Sequence, residues 1–426
     1  LVRGDAHGAF ACIDLYAESV NGDLINDAVY ERNSYLTEKY NFTINETRSE
    51  DSSAAGFPAN IIRPIIMAQE DLYDVIYDSL TFTSPMAQEK MLFDLYDLPY
   101  IEFSKPYWDQ NSNNDLSIGN KLYYTYGEHM LSVNAGLYGV FFNKQIVEDM
   151  NIENLYNVVN NNKWTIEKYY SIAKDIAYDL DGDGKMDYND YWGLVTETYN
   201  AYTFLIAAGE RIATKDNDDF PVLSLNTPRT ADLLELTKSF LMDKNTTILV
   251  DNYTAKEWAT VWNIFPEGRS IFCEGSLMQT PDLRSMEFDF GILPNPKFTE
   301  NQDNYYHTLS VWNAPLMSIP VTITNPEKIG YILEILAAKS VDTLTPAYYD
   351  LQLTNKLIRD NESEKMIDIM LSSVTFDIGA VYDFGGLFGV VLNVGARSGT
   401  ANFASSYAAA EKEAQAAIEK FLEKIK

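Results

Sequence analysis

Short apolar runs of strand character alternate with amphipathic helical runs along this whole chain, and no long Gly/Ser-rich or Pro-rich linker interrupts them. That alternation constrains the fold to α/β layers. A first series begins at Leu1-Val2, read as the tail of a first strand. It continues through a helix over 24–40, where Ala28, Val29, Arg32, Leu36 and Tyr40 recur at helical spacing. Next come an alternating strand over 41–47, a helix over 61–69 with Pro64 in its first turn, and a β-rich run over 73–80.

A second series opens with LYGVFFNK (137–144), a strand followed by a helix through Asp149. WTIEKYYSIAKDIAYD (164–179) reads as one long helix capped by Thr165. Strands are expected at 191–198 and 221–225, then a helix from about Thr227 to Met242. Further strands lie in RSIFCEG (269–275), FDFGILPNP (288–296) and VWNAPLMSIP (311–320). Helices opened by Pro326 (326–341) and over 401–425 complete the chain. With 426 residues, two or three domains are expected, and without linkers they must be joined by short crossings.

Charge narrows the partners. There are 62 Asp+Glu against 32 Lys+Arg, a net charge of −30. This excludes sequence-independent nucleic-acid binding and polybasic docking on anionic lipid. Two cysteines and three histidines can build neither a disulfide framework nor a four-ligand zinc cluster. No run approaches the ~18–20 apolar residues of a membrane span. Residues 1–12 lack the charged and apolar regions of a signal peptide, and nothing hydrophobic precedes Cys12. A signal and tether are therefore expected upstream of Leu1.

The most specific local motif is DLDGDGKMDYND (179–190). Asp179, Asp181 and Asp183 occupy positions 1, 3 and 5 of a twelve-residue calcium loop, with Gly184 at the turn position 6. Lys185 would supply a backbone carbonyl, Asp187 fills position 9 and Asp190 position 12. Alternate hard oxygen donors can wrap one Ca2+. A single loop points to a structural role, stapling the preceding helix to the strand at Tyr191.

Taken together, these segments resemble the extracellular solute-binding proteins of bacterial ABC importers, in the carbohydrate-binding group (family 1) that includes maltose-binding protein. NGDLINDAVYERN (21–33), YDVIYDSL (73–80), LYGVFFNK with WTIEKYYSIAKDI, the acidic loop before YWGL, and PEKIGYILEILAAKSV…AYYDLQLTNKLIRD (326–360) carry the resemblance. It implies a two-lobed periplasmic-binding-protein-like (type II) fold with hinge crossings, closing on ligand. Lobe one would hold 1–134 and return over 314–343. Lobe two would hold 135–313, with 344–426 as a helical part packing mainly on it. Crossings would fall near 134–138, 310–313 and 343–346. The resemblance further implies a monomeric, membrane-anchored lipoprotein of a Gram-positive bacterium, passing a small-molecule ligand, an oligosaccharide, to permease subunits.

Ligands of open α/β sheets sit beyond the carboxyl ends of strands. Candidates there are Asp78 and Ser79, then Glu197, Tyr199 and Tyr202, then Glu274 and Ser276. Trp312 and Asn313 lie on the presumed second crossing, and Tyr382, with Phe384, could reach a sugar from the C-terminal part. Aromatic faces suit the C–H side of a pyranose, and carboxylates and amides suit its hydroxyls. Trp108, Trp164, Trp258 and Trp262 are expected to pack. His129 and His307 are expected in loops or at the surface, and Cys12 and Cys273 are expected to stay unpaired. A peptide or other small solute is the alternative ligand. A secreted glycoside hydrolase is the rival class, since two of 62 acids could work as an acid/base pair, yet no G-x-S-x-G, H-E-x-x-H or phosphate-cradling motif is present. No catalytic residue is assigned.

Overall fold

The computed structural model describes residues 1–174, 176–278, 286–349 and 360–425. Part of the 326–360 segment that carries the resemblance therefore lies outside the described residues. Among those described, eleven strands occur: β1 Val2–Arg3, β2 Arg48–Ser49, β3 Ile76–Ser79, β4 Tyr138–Asn143, β5 Trp192–Thr196, β6 Ala213–Lys215, β7 Pro221–Leu223, β8 Thr247–Leu249, β9 Ser270–Ser276, β10 Phe290–Leu293 and β11 Pro315–Ser318.

They form two main layers. In one, β1 pairs parallel with β2, and β3 antiparallel with β11. The two pairs join because the Tyr77 amide donates to the Leu1 carbonyl (3.0 Å) and the Leu1 amine to the Val75 carbonyl (2.8 Å). In the other, the order is β10-β4-β9-β5-β8. Here β4 runs antiparallel to both β10 and β9, while β9, β5 and β8 are parallel to one another. β4, β5, β9 and β10 are buried along their whole length, as strands covered on both faces must be.

Helices cover the layers broadly where the sequence spacing places them, but the helix expected over 61–69 spans Pro58–Met67, so Pro64 lies inside it and not in its first turn. Leu24–Tyr40 is capped by Asp23, whose carboxylate accepts from the Ile25 and Asn26 amides, and it buries Ile25, Ala28, Val29, Arg32 and Leu36. Pro228–Leu241 and Pro326–Ser340 start with proline after the caps Thr227 and Asn325. The closing helix runs Phe403–Ile425. The helix Leu344–Tyr348 packs against Leu24–Tyr40, whereas Asn361–Ser372 packs on β10. Among the described residues, no helix is long and apolar enough to cross a membrane.

The chain passes between layers at two neighbouring crossings. Leu137 bridges Leu309 antiparallel, and the Ser310 amide donates to the Gly136 carbonyl at 2.8 Å. Gly136 permits this approach, since a Cβ there would lie 2.9 Å from that of Ala314.

Several expectations are corrected. The helix expected over 164–179 ends at Ala173 and spans Ile166–Ala173. Beyond it Tyr178 instead pairs with Tyr191, and their rings stack at 5.0 Å. The acidic loop therefore joins a two-residue bridge to β5 and is not stapled to a long helix. Residues 41–47 form no strand, because the pairing partner of β1 begins one residue later, at Arg48. His129 and His307 are both fully buried. His129 lies against Trp108 (5.4 Å) and Tyr77 (6.0 Å), while His307 accepts from the Asn295 amide (2.9 Å) and shares a hydrogen bond with Ser373 Oγ (2.8 Å). Burial pushes both imidazoles down to about 3, so both are neutral. Trp258 is 49% exposed: its helix has only five residues, and Val261 takes the buried position. Trp108 and Trp164 pack as expected, their indole N–H groups donating to Glu334 (3.0 Å) and to the Pro294 carbonyl (2.8 Å). Cys12 and Cys273 are free thiols, each buried.

Candidate functional site

Two groups of side chains meet the turn Ser310–Asn313 that follows the second crossing. The first is built on β1 and β3. Their pairing brings the Arg3 guanidinium to Asp78 and Ser79 at the end of β3. Asp78 Oδ1 accepts from Arg3 Nε (2.9 Å), Arg3 Nη2 (2.6 Å) and the Ser79 amide (2.8 Å), and Oδ2 accepts from the Ala59 amide (3.0 Å). Ser79 Oγ accepts from Arg3 Nη2 at 2.8 Å. Arg3 also lies 4.6 Å from the Phe57 ring centroid, and its other contacts run to the Trp312 and Asn313 carbonyls, each at 3.5 Å. Arg3, Asp78 and Ser79 are all buried. Such an ion pair, cut off from water, persists only when each charge is hydrogen-bonded on several sides, which is the case here.

The second group is built on the carboxyl ends of β5 and β9 and the start of β4. Tyr138 donates to Glu197 at 2.6 Å and stacks on Tyr199 with ring centroids 4.8 Å apart. Tyr199 accepts from the Val311 amide at 3.4 Å, which ties this group to the turn. Tyr202 lies edge-on to Tyr199 (5.5 Å) and to Phe388 (5.0 Å). Ser276 is buried opposite Tyr138 across the β9–β4 ladder. Glu274 is fully buried under the helix Asn200–Ala207, accepting from Thr203 Oγ1 at 3.3 Å. Burial pushes its carboxyl well above the usual range, and the Glu197 charge adds to this. Glu274 Oε2, Asn200 Oδ1, the Tyr202 hydroxyl and the Ser310 hydroxyl are buried and without a hydrogen-bond partner among the described residues.

Between the groups, Trp312 is 47% exposed and Asn313 half-buried. Tyr382 is not brought to the turn. It is buried in the C-terminal part, sharing a hydrogen bond with Tyr124 (3.3 Å) and packing on Phe421 (4.7 Å). Sequence reasoning missed Arg3, Tyr138 and Arg397. Arg397 is exposed, and its Nε and Nη2 both donate to Thr198 Oγ1 at 3.2 Å, one residue from Glu197. The one available signal was a charged residue closing the apolar start Leu1-Val2. An exposed indole and a partly exposed carboxylate suit recognition of a neutral, hydroxyl-rich solute.

In the acidic loop, Gly182 (φ 76°) and Gly184 (φ 81°) take left-handed turns that wrap the chain round Asp179. The carboxylate oxygens of Asp179, Asp181 and Asp183 come within 4.8 Å of one another. Three hard oxygen donors at that spacing fit a Ca2+-sized cation. The side chains of Asp187 and Asp190 accept backbone amides: Asp187 that of Asn189 (2.8 Å), and Asp190 those of Leu180 (2.8 Å) and Asp187 (2.7 Å). The Lys185 amide donates to Asp183 at 2.8 Å.

No family model matches the sequence, and no curated protein matches it either. Solved structures do. A cyclo/maltodextrin-binding protein complexed with maltotetraose superposes with a TM-score of 0.59 at 13% identity, covering 95% of each chain. The maltose/maltodextrin-binding domain MalE from Bdellovibrio bacteriovorus, bound to maltotriose, gives 0.55 at 16% identity, covering 93% of this chain and 96% of that one. UgpB from Mycobacterium tuberculosis, in complex with glycerophosphocholine, gives 0.57 at 14% identity, covering 93% and 95%. The chain therefore has the periplasmic-binding-protein-like fold of solute-binding proteins over nearly its full length.

Proposed function

We propose that this chain is an extracytoplasmic solute receptor that binds a carbohydrate, an oligosaccharide, and delivers it to the permease subunits of an ABC importer. The observation that carries this reading is the exposed Trp312, set on a turn that touches both the Arg3–Asp78 group and the Tyr199–Glu197 group. A pyranose stacked on that indole would look to the half-buried Glu197 for a hydroxyl partner. Two of the similar structures hold maltotetraose and maltotriose, which supports a sugar. The third holds glycerophosphocholine, and the exposed Arg397 keeps a phosphodiester solute as the second reading.

In this proposal the two layers are lobes, 1–134 with 314–343 and 135–313 with most of 344–426. Ligand bridges them and stabilises the closed form by contacts made only there. The protein is a binder and no enzyme, a monomer, and a lipid-anchored protein of a Gram-positive cell surface. Ca2+ bound by Asp179, Asp181 and Asp183 has a structural role.

Calorimetry against maltodextrins, with glycerophosphocholine and peptides in parallel, tests the ligand. Saturable heat with an oligosaccharide is expected; a response to peptides alone would sink the carbohydrate assignment. Turnover of a glycan by the purified protein would sink the binder assignment. For the metal, EDTA is expected to lower Tm and added Ca2+ to restore it. An unchanged Tm refutes the calcium role.

A further inference from the structure

A cavity of about 520 Å3 lies apart from the candidate site, lined by the segment 106–111, by Tyr126, Glu128 and Asn134, by Tyr349, and by the end of the helix Asn361–Ser372. None of the ten candidate ligand residues lines it. Its walls combine two chemistries. Asp109, Glu128 and Asp368 contribute carboxyl groups, and Tyr107, Tyr126 and Tyr349 contribute aromatic rings. Among the described residues lining it there is no Lys, Arg or His, and none of the three acids forms an ion pair. Asp109 is held by the Ser112 amide and Glu128 by the Thr345 hydroxyl, both neutral donors. Burial pushes both carboxyls up, and the Asp109 charge adds to the shift of Glu128. The Tyr107 hydroxyl and the Trp108 indole N–H are committed to Glu334, so these rings bring carbon surface to the wall.

We infer that this cavity is a second binding site, for an aliphatic polyamine. A metal ion would need a tight shell of oxygens, whereas this space has the volume of a small organic ligand and aromatic walls. Protonated amines pair with carboxylates by charge-assisted hydrogen bonds, and they are attracted to tyrosine faces. Several amines along one chain match acids contributed by separate elements, Asp109 and Glu128 from one layer and Asp368 from a helix packed on the other. The inference is independent of the carbohydrate reading.

The test is calorimetric titration of the whole protein with spermidine at physiological ionic strength. That ionic strength suppresses diffuse attraction to a chain of charge −30. Saturable one-to-one binding is expected, weakened about tenfold by Glu128→Gln, which removes one charged acceptor but can still accept from Thr345. Trp312→Ala and Asp181→Asn are expected to leave spermidine affinity unchanged, and an unaltered Tm for Glu128→Gln shows that it is folded. Absence of saturable heat, equal affinity in Glu128→Gln, or loss of affinity on Trp312→Ala or Asp181→Asn each overturns the inference.

Discussion

Two acidic strand ends flank the turn at Trp312, and they are used in opposite ways. At the end of β3, every oxygen of Asp78 is claimed: Arg3 takes one in a bidentate grip and the Ala59 amide takes the other. At the ends of β5 and β9, Glu197 accepts from Tyr138, while Glu274 accepts through one oxygen and its Oε2 is without a hydrogen-bond partner among the described residues. The first is a finished network holding β1 to β3, while the second leaves one Glu274 oxygen unclaimed among the described residues. Chemically similar residues at similar topological positions thus divide into a structural clamp and a candidate receptor surface. What decides is whether a buried guanidinium comes within reach.

The largest test of this contrast is Arg3→Ala. It would leave Asp78 charged and buried, and should lower unfolding free energy by about 3–5 kcal/mol in urea titrations. A loss of less than a quarter of that would mean the clamp is not closed.

Glu274→Gln probes the other strand end. The folded carboxyl holds its proton to a higher pH than the unfolded one, whose value is near 4.5. Folded chains therefore bind more protons than unfolded ones above that pH, so the wild type loses stability as pH rises towards the folded value. Gln cannot ionise, so from about pH 5 to 8 the urea midpoint of the wild type should fall relative to that of the variant, the buried His129 and His307 contributing equally to both. Parallel curves would show that Glu274 is not held neutral.

Trp312→Ala should cost about 1–2 kcal/mol in oligosaccharide affinity, the worth of a lost aromatic stack, and under about 0.5 kcal/mol in stability. A pure stability loss would make Trp312 another structural residue. The smallest effect is expected for Ser79→Ala, about 1 kcal/mol of stability for one neutral acceptor of Arg3, with ligand affinity unchanged in calorimetry. If affinity fell instead, the clamp would belong to the site after all.

Much of this fold is legible in the sequence where the signal is local. Asp23, Thr165, Thr227 and Asn325 each cap the helix that follows, and the apolar strand β4 lies within the run that reads as a strand, β9 overrunning its own by one residue. The misreadings share a cause in long-range contacts. Nothing near Asp78 announces that Arg3, 75 residues earlier, will claim it. The helical spacing beyond Ala173 is overruled because Gly193 sits against the Ala173 carbonyl, where a Cβ would come within 2.0 Å, and the chain turns to pair Tyr178 with Tyr191. His129 is buried by Trp108 and Tyr77, contacts set by tertiary packing. The candidate site was only half legible for the same reason: Glu197 and Trp312 have the expected exposure, but Tyr382 and Glu274 are drawn into the interior.

The paired, ring-stacked Tyr178 and Tyr191 have a practical consequence for the twelve residues they enclose. Because the two ends are pinned to each other, the exposed part, 180–185, can change in length at an entropic cost that grows only with the logarithm of its size, whereas 187–190 are fixed by the Trp192 indole N–H on the Asp187 carbonyl (2.8 Å) and by Arg269 on the Tyr188 (2.8 Å) and Asp190 (2.9 Å) carbonyls. A luminescent lanthanide-binding peptide or a fluorophore spliced in place of 180–185 would report on the protein while the anchored residues 187–190 keep β5 in its register.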